Sequence, residues 1–190
     1  MMGEPASKKL TKLLVLFVVG VLLFKNATSS GIFEAKDHKG KGFYVKIPEG
    51  WKKVKRQKDV VYPEGVAVVM FIPKKINIEY EVPDVYISIF TKKLSSPIWI
   101  EDEFPEILSS IKKGGYKVMD KGEIKLDDRL SAWVVYHDKK TPALVLEFYM
   151  VTDNSIFYKI QYSAHPDKFN KQRPAFEELK ASFKFRFSMY

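Results

Sequence analysis

The chain has 190 residues, 46% of them apolar, and a formal charge of +9. That suffices for one domain with a real core plus a short appendage, and it excludes wholesale disorder. The absence of cysteine excludes disulfides, thiolate metal sites, cysteine nucleophiles and a lipid-modified N-terminal cysteine. The positive charge favours anionic partners. Acidic residues are interspersed throughout and no Arg-rich stripe appears, so no nucleic-acid partner is expected.

Residues 1–29 have the layout of an export signal. Lys8, Lys9 and Lys12 precede an unbroken apolar run, Leu13 to Phe24, and Ala27-Thr28-Ser29 supplies small residues for cleavage. Twelve helical residues span roughly 18 Å, short of a ~30 Å hydrocarbon core. A cleaved signal is the first expectation and an uncleaved signal anchor the second. Either places the remainder outside the cytoplasm, periplasmic or secreted. Removing residues 1–29 takes away four lysines and one glutamate and leaves a charge of +6.

Residues 30–41 read as a linker, with a short strand at Ile32 to Ala35 inside the polar stretch. In "GFYVKIPEGWKKVKRQK" (42–58), Phe43, Val45 and Ile47 alternate with polar positions, a half-buried strand. Pro48 and Gly50 then turn the chain: Pro fixes φ and Gly permits φ > 0. "VAVVMFIP" (66–73) is a continuous apolar run, predicted to be covered on both faces. "DVYISIFT" (84–91) alternates again. Phe104, Ile107, Leu108 and Ile111 predict a helix from about Asp102 to Lys113, started near Glu103 by Pro105 and stopped by Gly114-Gly115.

Four strands follow. Segments 116–126 and 130–138 flank Asp127-Asp128-Arg129, and 142–152 and 155–164 flank Asp153-Asn154, both hairpin signals. A second helix is predicted from Pro174 to Ala181, with Phe176, Leu179 and Phe183 inward. The fold class is therefore α+β, a mostly antiparallel sheet sandwiched by helices and preceded by an apolar N-terminal helix. Residues 42–187 form its one domain.

Three motifs in order resemble a known family. "GFYVKIPEGW" (42–51) opens it, the hairpin "GEIKLDDRLSAWVVYH" (122–137) follows with small Ala132 in its second strand, and "FEELKASFKF" (176–185) closes it. The chain resembles the PsbP-like domain family, whose fold is shared by the extrinsic PsbP subunit of photosystem II, the Ran-binding Mog protein and DcrB-type exported bacterial proteins. The resemblance implies a non-enzymatic adaptor that binds and stabilises other proteins. The plant photosystem subunit is linked to calcium and chloride retention, but no residue here matches an ion site, so no cofactor is expected. This chain lacks the lipidated cysteine of many bacterial members.

Candidate sites each admit two roles. Trp51 caps the core where the turn re-enters the sheet, aimed by Pro48 and Gly50, or stacks a ligand. Lys52, Lys53, Lys55, Arg56 and Lys58 guard a strand edge, or dock an acidic protein face or an anionic membrane surface. Lys74 and Lys75 begin the mixed-charge connection that ends near Asp84, a second place for a partner face. Phe183 is read as structural. Glu147, the lone charge in "ALVLEFYMV", either meets a lysine of a neighbouring strand or water, or is a buried functional carboxylate. Asp127 and Asp128 are read as turn residues in water, so Asp127→Asn is expected to stay within about 0.5 kcal/mol.

His38, His137 and His165 lack metal-ligand spacing, so no metal is expected. No nucleophile elbow, phosphate loop or dinucleotide fingerprint occurs, and no enzyme is expected. The export-like N-terminus and the resemblance together imply an exported adaptor binding a protein at or near the outer face of a membrane. The alternative is an extracytoplasmic small-molecule or ion carrier with a pocket between sheet and helix.

Overall fold

The computed structural model describes residues 37–40, 42–54, 66–76, 83–138 and 142–186. The apolar run Leu13–Phe24, the strand expected at Ile32–Ala35, and Lys55, Arg56 and Lys58 lie outside the described residues. The element order is β1 (Asp37–Gly40), β2 (Phe43–Lys46), β3 (Trp51–Lys53), β4 (Val66–Pro73), β5 (Val85–Lys93), α1 (Ile100–Lys113), β6 (Lys117–Leu126), β7 (Arg129–Asp138), β8 (Ala143–Val151), β9 (Ile156–Ala164), α2 (Pro166–Ser182) and β10 (Lys184–Phe185). β1 falls within the stretch expected as linker.

The strands form two antiparallel sheets. The larger has the order β3-β4-β5-β9-β8-β7-β6, and the smaller β1-β2-β10. Short reversals make β6 to β9 a meander, as the turn residues require. Leu126 pairs with Arg129 across Asp127 (φ 49°) and Asp128 (φ 62°), a two-residue loop with both residues left-handed. The β8–β9 loop is longer: Thr152 N–H donates to Ile156 O (3.0 Å), and the positive φ falls on Ser155 (55°). These two loops mark what we call the hairpin end of the large sheet.

One face of that sheet is covered and the other only in part, so Val66, Val68 and Met70 of β4 are half-buried rather than covered on both faces. On one side α1 packs over β6, β7 and β8. Its apolar stripe, Ile100, Phe104, Ile107, Leu108 and Ile111, is buried against Val134, Tyr136, Tyr149 and Phe157. On the other side α2 and the small sheet lie over the central strands, burying Phe43, Phe71, Ile87, Phe148, Ile160, Phe176 and Phe183. Three layers result, and the second covering layer is a helix plus a small sheet.

Both helices start earlier than their prolines predict. α1 begins at Ile100, leaving Pro105 inside it. Ile100 extends the buried stripe, and Glu101, Asp102 and Glu103 in the first turn suit the positive end of the helix dipole. α2 begins at Pro166, eight residues before Pro174. Pro166 occupies the first helical position, where the missing N–H costs nothing, and the His165 ring accepts from Asp167 N–H (3.4 Å) as a cap. Phe169 joins Phe176 and Leu179 in the core.

One close approach ties the small sheet to the large one. The Tyr158 hydroxyl donates to Gly42 O (3.0 Å). A Cβ on Gly42 would lie 2.5 Å from that hydroxyl, and φ there is +81°, so only glycine fits. Burial pushes the Tyr158 phenol up to about 12, and nearby Arg129 only partly offsets this. The group therefore stays a donor at neutral pH.

Candidate functional site

The opening of the domain explains how its lysines converge. After β2, Trp51 N–H donates back to Pro48 O (3.1 Å), closing a turn with Gly50 at φ +76°. Among the described residues nothing would lie within 4 Å of a Cβ at Gly50, so its φ is what demands glycine. Trp51 is only 5% exposed and joins the core of Phe71, Ile87 and Ile160. β3 then pairs with the end of β4: Trp51 faces Pro73, and Lys53 faces Phe71. Lys74 N–H donates to Gly50 O (2.7 Å), clamping the β4 exit to the β2–β3 turn.

That clamp brings Lys52, Lys53, Lys74 and Lys75 to one corner, at the end of the sheet opposite the hairpins. Lys53, Lys74 and Lys75 are exposed and Lys52 is half-buried. β3 is an edge strand, so the lysines also guard an edge, as Lys commonly does. Glu49 is the exposed carboxylate within the turn itself.

A second polar group is buried. Lys159 Nζ donates to Glu147 Oε1 (2.8 Å), and the Tyr149 hydroxyl donates to Glu147 Oε2. Glu147 is 2% exposed and Lys159 3%. Glu147 thus meets a lysine of the neighbouring strand, one of the roles its sequence context allows. Burial first, and then the Glu147 carboxylate, hold the Tyr149 and Tyr136 phenols well above the ordinary tyrosine range. Beside them Gln161 Nε2 contacts the Tyr86 hydroxyl (3.2 Å), while its Oε1 has no hydrogen-bond partner among the described residues. All of these lie on the face of the sheet that α1 partly covers.

The hairpin tips are more engaged than the sequence reveals. Asp127 is not simply a turn residue in water: its carboxylate accepts from Lys184 Nζ (2.9 Å) and from Phe185 N–H (2.8 Å). Partial burial pushes its carboxyl up, but Lys184 and the Phe185 amide outweigh this and hold it below the usual aspartate range. Arg129 forks onto Asp153 with two 2.8 Å bonds, joining the two hairpins. The expected cost of Asp127→Asn therefore rises to about 1 kcal/mol, the charge-assisted share of two bonds trimmed by screening. Urea denaturation checks it, and a wild-type midpoint would contradict the tie. The contribution is full above the usual aspartate range and is lost as pH falls through the lowered carboxyl value.

Among the described residues no three His, Cys, Asp or Glu side chains gather as a metal site. His137 and His165 sit at the same end of the sheet, but His165 is committed to capping α2 and contacts Asp167 (3.3 Å). Among the described residues, no helix is long and apolar enough to cross a membrane. Trp99, just before α1, is 70% exposed. Nothing in its sequence context marks it, because flanked by Ile98 and Ile100 it reads as part of a short apolar run before the helix.

The architecture is the PsbP-like α+β fold. It is similar to cyanobacterial PsbP (CyanoP) of Synechocystis, with a TM-score of 0.54 at 13% identity, covering 84% of this chain and 98% of that one. It is also similar to LpqN of Mycobacterium tuberculosis, described as involved in cell envelope biogenesis (TM-score 0.60, 12% identity, 79% and 88% covered). The Ran-binding protein Mog1p of Saccharomyces cerevisiae matches with a TM-score of 0.50 at 9% identity, over 78% and 94% of the two chains. No protein-family model and no curated protein sequence matches the chain. At these identities the likeness is one of fold.

Proposed function

We propose that the chain is a non-enzymatic adaptor that works outside the cytoplasm, at the outer face of a membrane, and binds another protein. The observation that carries this reading is the lysine corner. The Lys74–Gly50 clamp brings exposed Lys53, Lys74 and Lys75, with half-buried Lys52, to one corner, which suits an anionic counter-surface. The export-like N-terminus supports the location. Structures of this fold include a Ran-binding protein and a cell-envelope protein, which supports a binding role. Exposed Trp99 offers a protein partner the residue type most enriched at the energetic centres of interfaces.

Replacing Lys52, Lys53, Lys74 and Lys75 by Gln is expected to weaken capture of the docked surface and flatten its salt dependence. Exposed charges are screened over ~8–10 Å at physiological salt. The loss is expected mainly in the on-rate. Binding kinetics on isolated membranes at low and high salt are the measurement. Wild-type binding indifferent to salt would sink the docking role and leave the lysines as edge guards. The carrier reading keeps one supporting observation, the buried polar patch of Glu147, Lys159 and Gln161 beside α1.

A further inference from the structure

We propose that the end of the large sheet opposite the hairpins lies against an anionic phospholipid surface. The inference rests on the adaptor reading and names the counter-surface of its lysine corner.

Strand register defines that end. Val85 pairs with Ala164, Ala164 with Leu144, Leu144 with His137, and His137 with Lys117. The tips of β5, β9, β8, β7 and β6 therefore line up there, beside the β4 exit. To Lys53, Lys74 and Lys75 this alignment adds Lys112 and Lys113, in the last turn of α1, and Lys117, the first residue of β6. All six are exposed.

Among the described residues carboxylates at this end are fewer: Asp84 accepts from Lys168 (2.8 Å), and Asp167 contacts His165 (3.3 Å). Glu49 is exposed and Asp138 half-buried. The connecting residues 77–82 and 139–141 lie outside the described residues, and in sequence Glu79 and Glu81 balance Lys139 and Lys140. At the hairpin end the charges are mixed instead. Asp127 holds Lys184 and Asp153 holds Arg129, with Asp128 beside them.

Two further observations favour a lipid surface over an acidic protein face. The lysines span the sheet from edge to edge, from β3 to β6. Six strand spacings make that roughly 29 Å, a spread of flexible cations that suits a broad, uniform charge. The direction of β1 is the second. Asp37 lies opposite Lys46 and Gly40 opposite Phe43. Gly42 is held at the hairpin side, where its carbonyl accepts from Tyr158 and from Arg186 N–H (2.9 Å). The chain therefore enters β1 from the lysine side. The sequence stretch 25–36 reaches at most about 40 Å from the apolar run. A membrane-held Leu13–Phe24 would present this end first. Each lysine brought near an anionic leaflet strengthens association about fivefold.

The absence of native cysteine allows single reporters. The full chain carrying a fluorophore at Lys75→Cys, Lys113→Cys or Asp128→Cys is reconstituted in phosphatidylcholine vesicles, with or without phosphatidylserine, containing a headgroup quencher. Quenching at 75 and 113 is expected to be at least about twofold stronger in anionic vesicles. It should collapse near 1 M salt, where the Debye length is about 3 Å, while position 128 stays indifferent. Equal quenching at 128, or quenching at 75 that ignores lipid charge, would overturn the proposal. Salt-sensitive capture of a purified acidic protein in detergent, with no lipid effect on the reporters, would also overturn it and leave the adaptor reading standing. Lipid-dependent quenching without any protein capture would support it and remove the adaptor reading.

Discussion

Lys159→Met alone is expected to destabilise the domain by about 3–5 kcal/mol, the usual cost of stranding one member of a buried ion pair. The Glu147 carboxylate is 2% exposed and would lose its ammonium partner while still desolvated. Tyr149 would remain as a neutral donor, which is too little for a full charge. Replacing both residues, Glu147→Leu with Lys159→Met, is expected to recover most of the loss. It is expected to stop short of wild type, because the buried Tyr149 hydroxyl loses its Glu147 acceptor. Chemical denaturation of the single and double variants gives the coupling directly. Additive losses in the double variant would show that the pair is not the stabilising unit, and would favour a functional reason for keeping two charges inside a sheet.

Trp51→Ala should also cost about 3–5 kcal/mol, as truncation of a buried aromatic does. The ring is 5% exposed, and the Pro48–Gly50 turn and the β3–β4 pairing fix its backbone on both sides. Collapse into the space is hindered, because Phe71 and Ile87 belong to the central strands of a paired sheet. Were the ring stacking a ligand at the surface, the variant would unfold at the wild-type midpoint and lose only binding. Denaturation midpoint and partner capture, measured on the same variant, separate the two roles.

Local chemistry made much of this architecture legible. β4 occupies Val66–Pro73, the continuous apolar run, and the four-strand meander follows the turn residues. The helix starts are not legible, because Pro105 and Pro174 look like first-turn residues yet lie inside the helices. Burial of Ile100 and Phe169 outweighed that preference. The lysine corner was half legible. Lys52 and Lys53 stand out as a run, but their meeting with Lys74 and Lys75 depends on the β3–β4 register, which three residues of strand do not announce. The Asp127 tie to β10 was invisible, since its partners Lys184 and Phe185 are remote in the chain and match no local pattern.

The pairing of β10 with β2 also bears on how the protein is made. Phe43 needs Phe185 opposite it and Phe183 stacked on it, 5.7 Å between ring centroids. Those partners follow Phe43 by 140 and 142 residues (183 − 43 and 185 − 43), and the ribosome feeds out only about 5–20 residues per second. Until then β2 lacks one neighbour and the core beneath the small sheet stays open. Contacts between residues so far apart also form slowly, because loop closure precedes any gain from pairing. The topology thus delays closure of the small sheet until the chain beyond α2 is available to pair with β2.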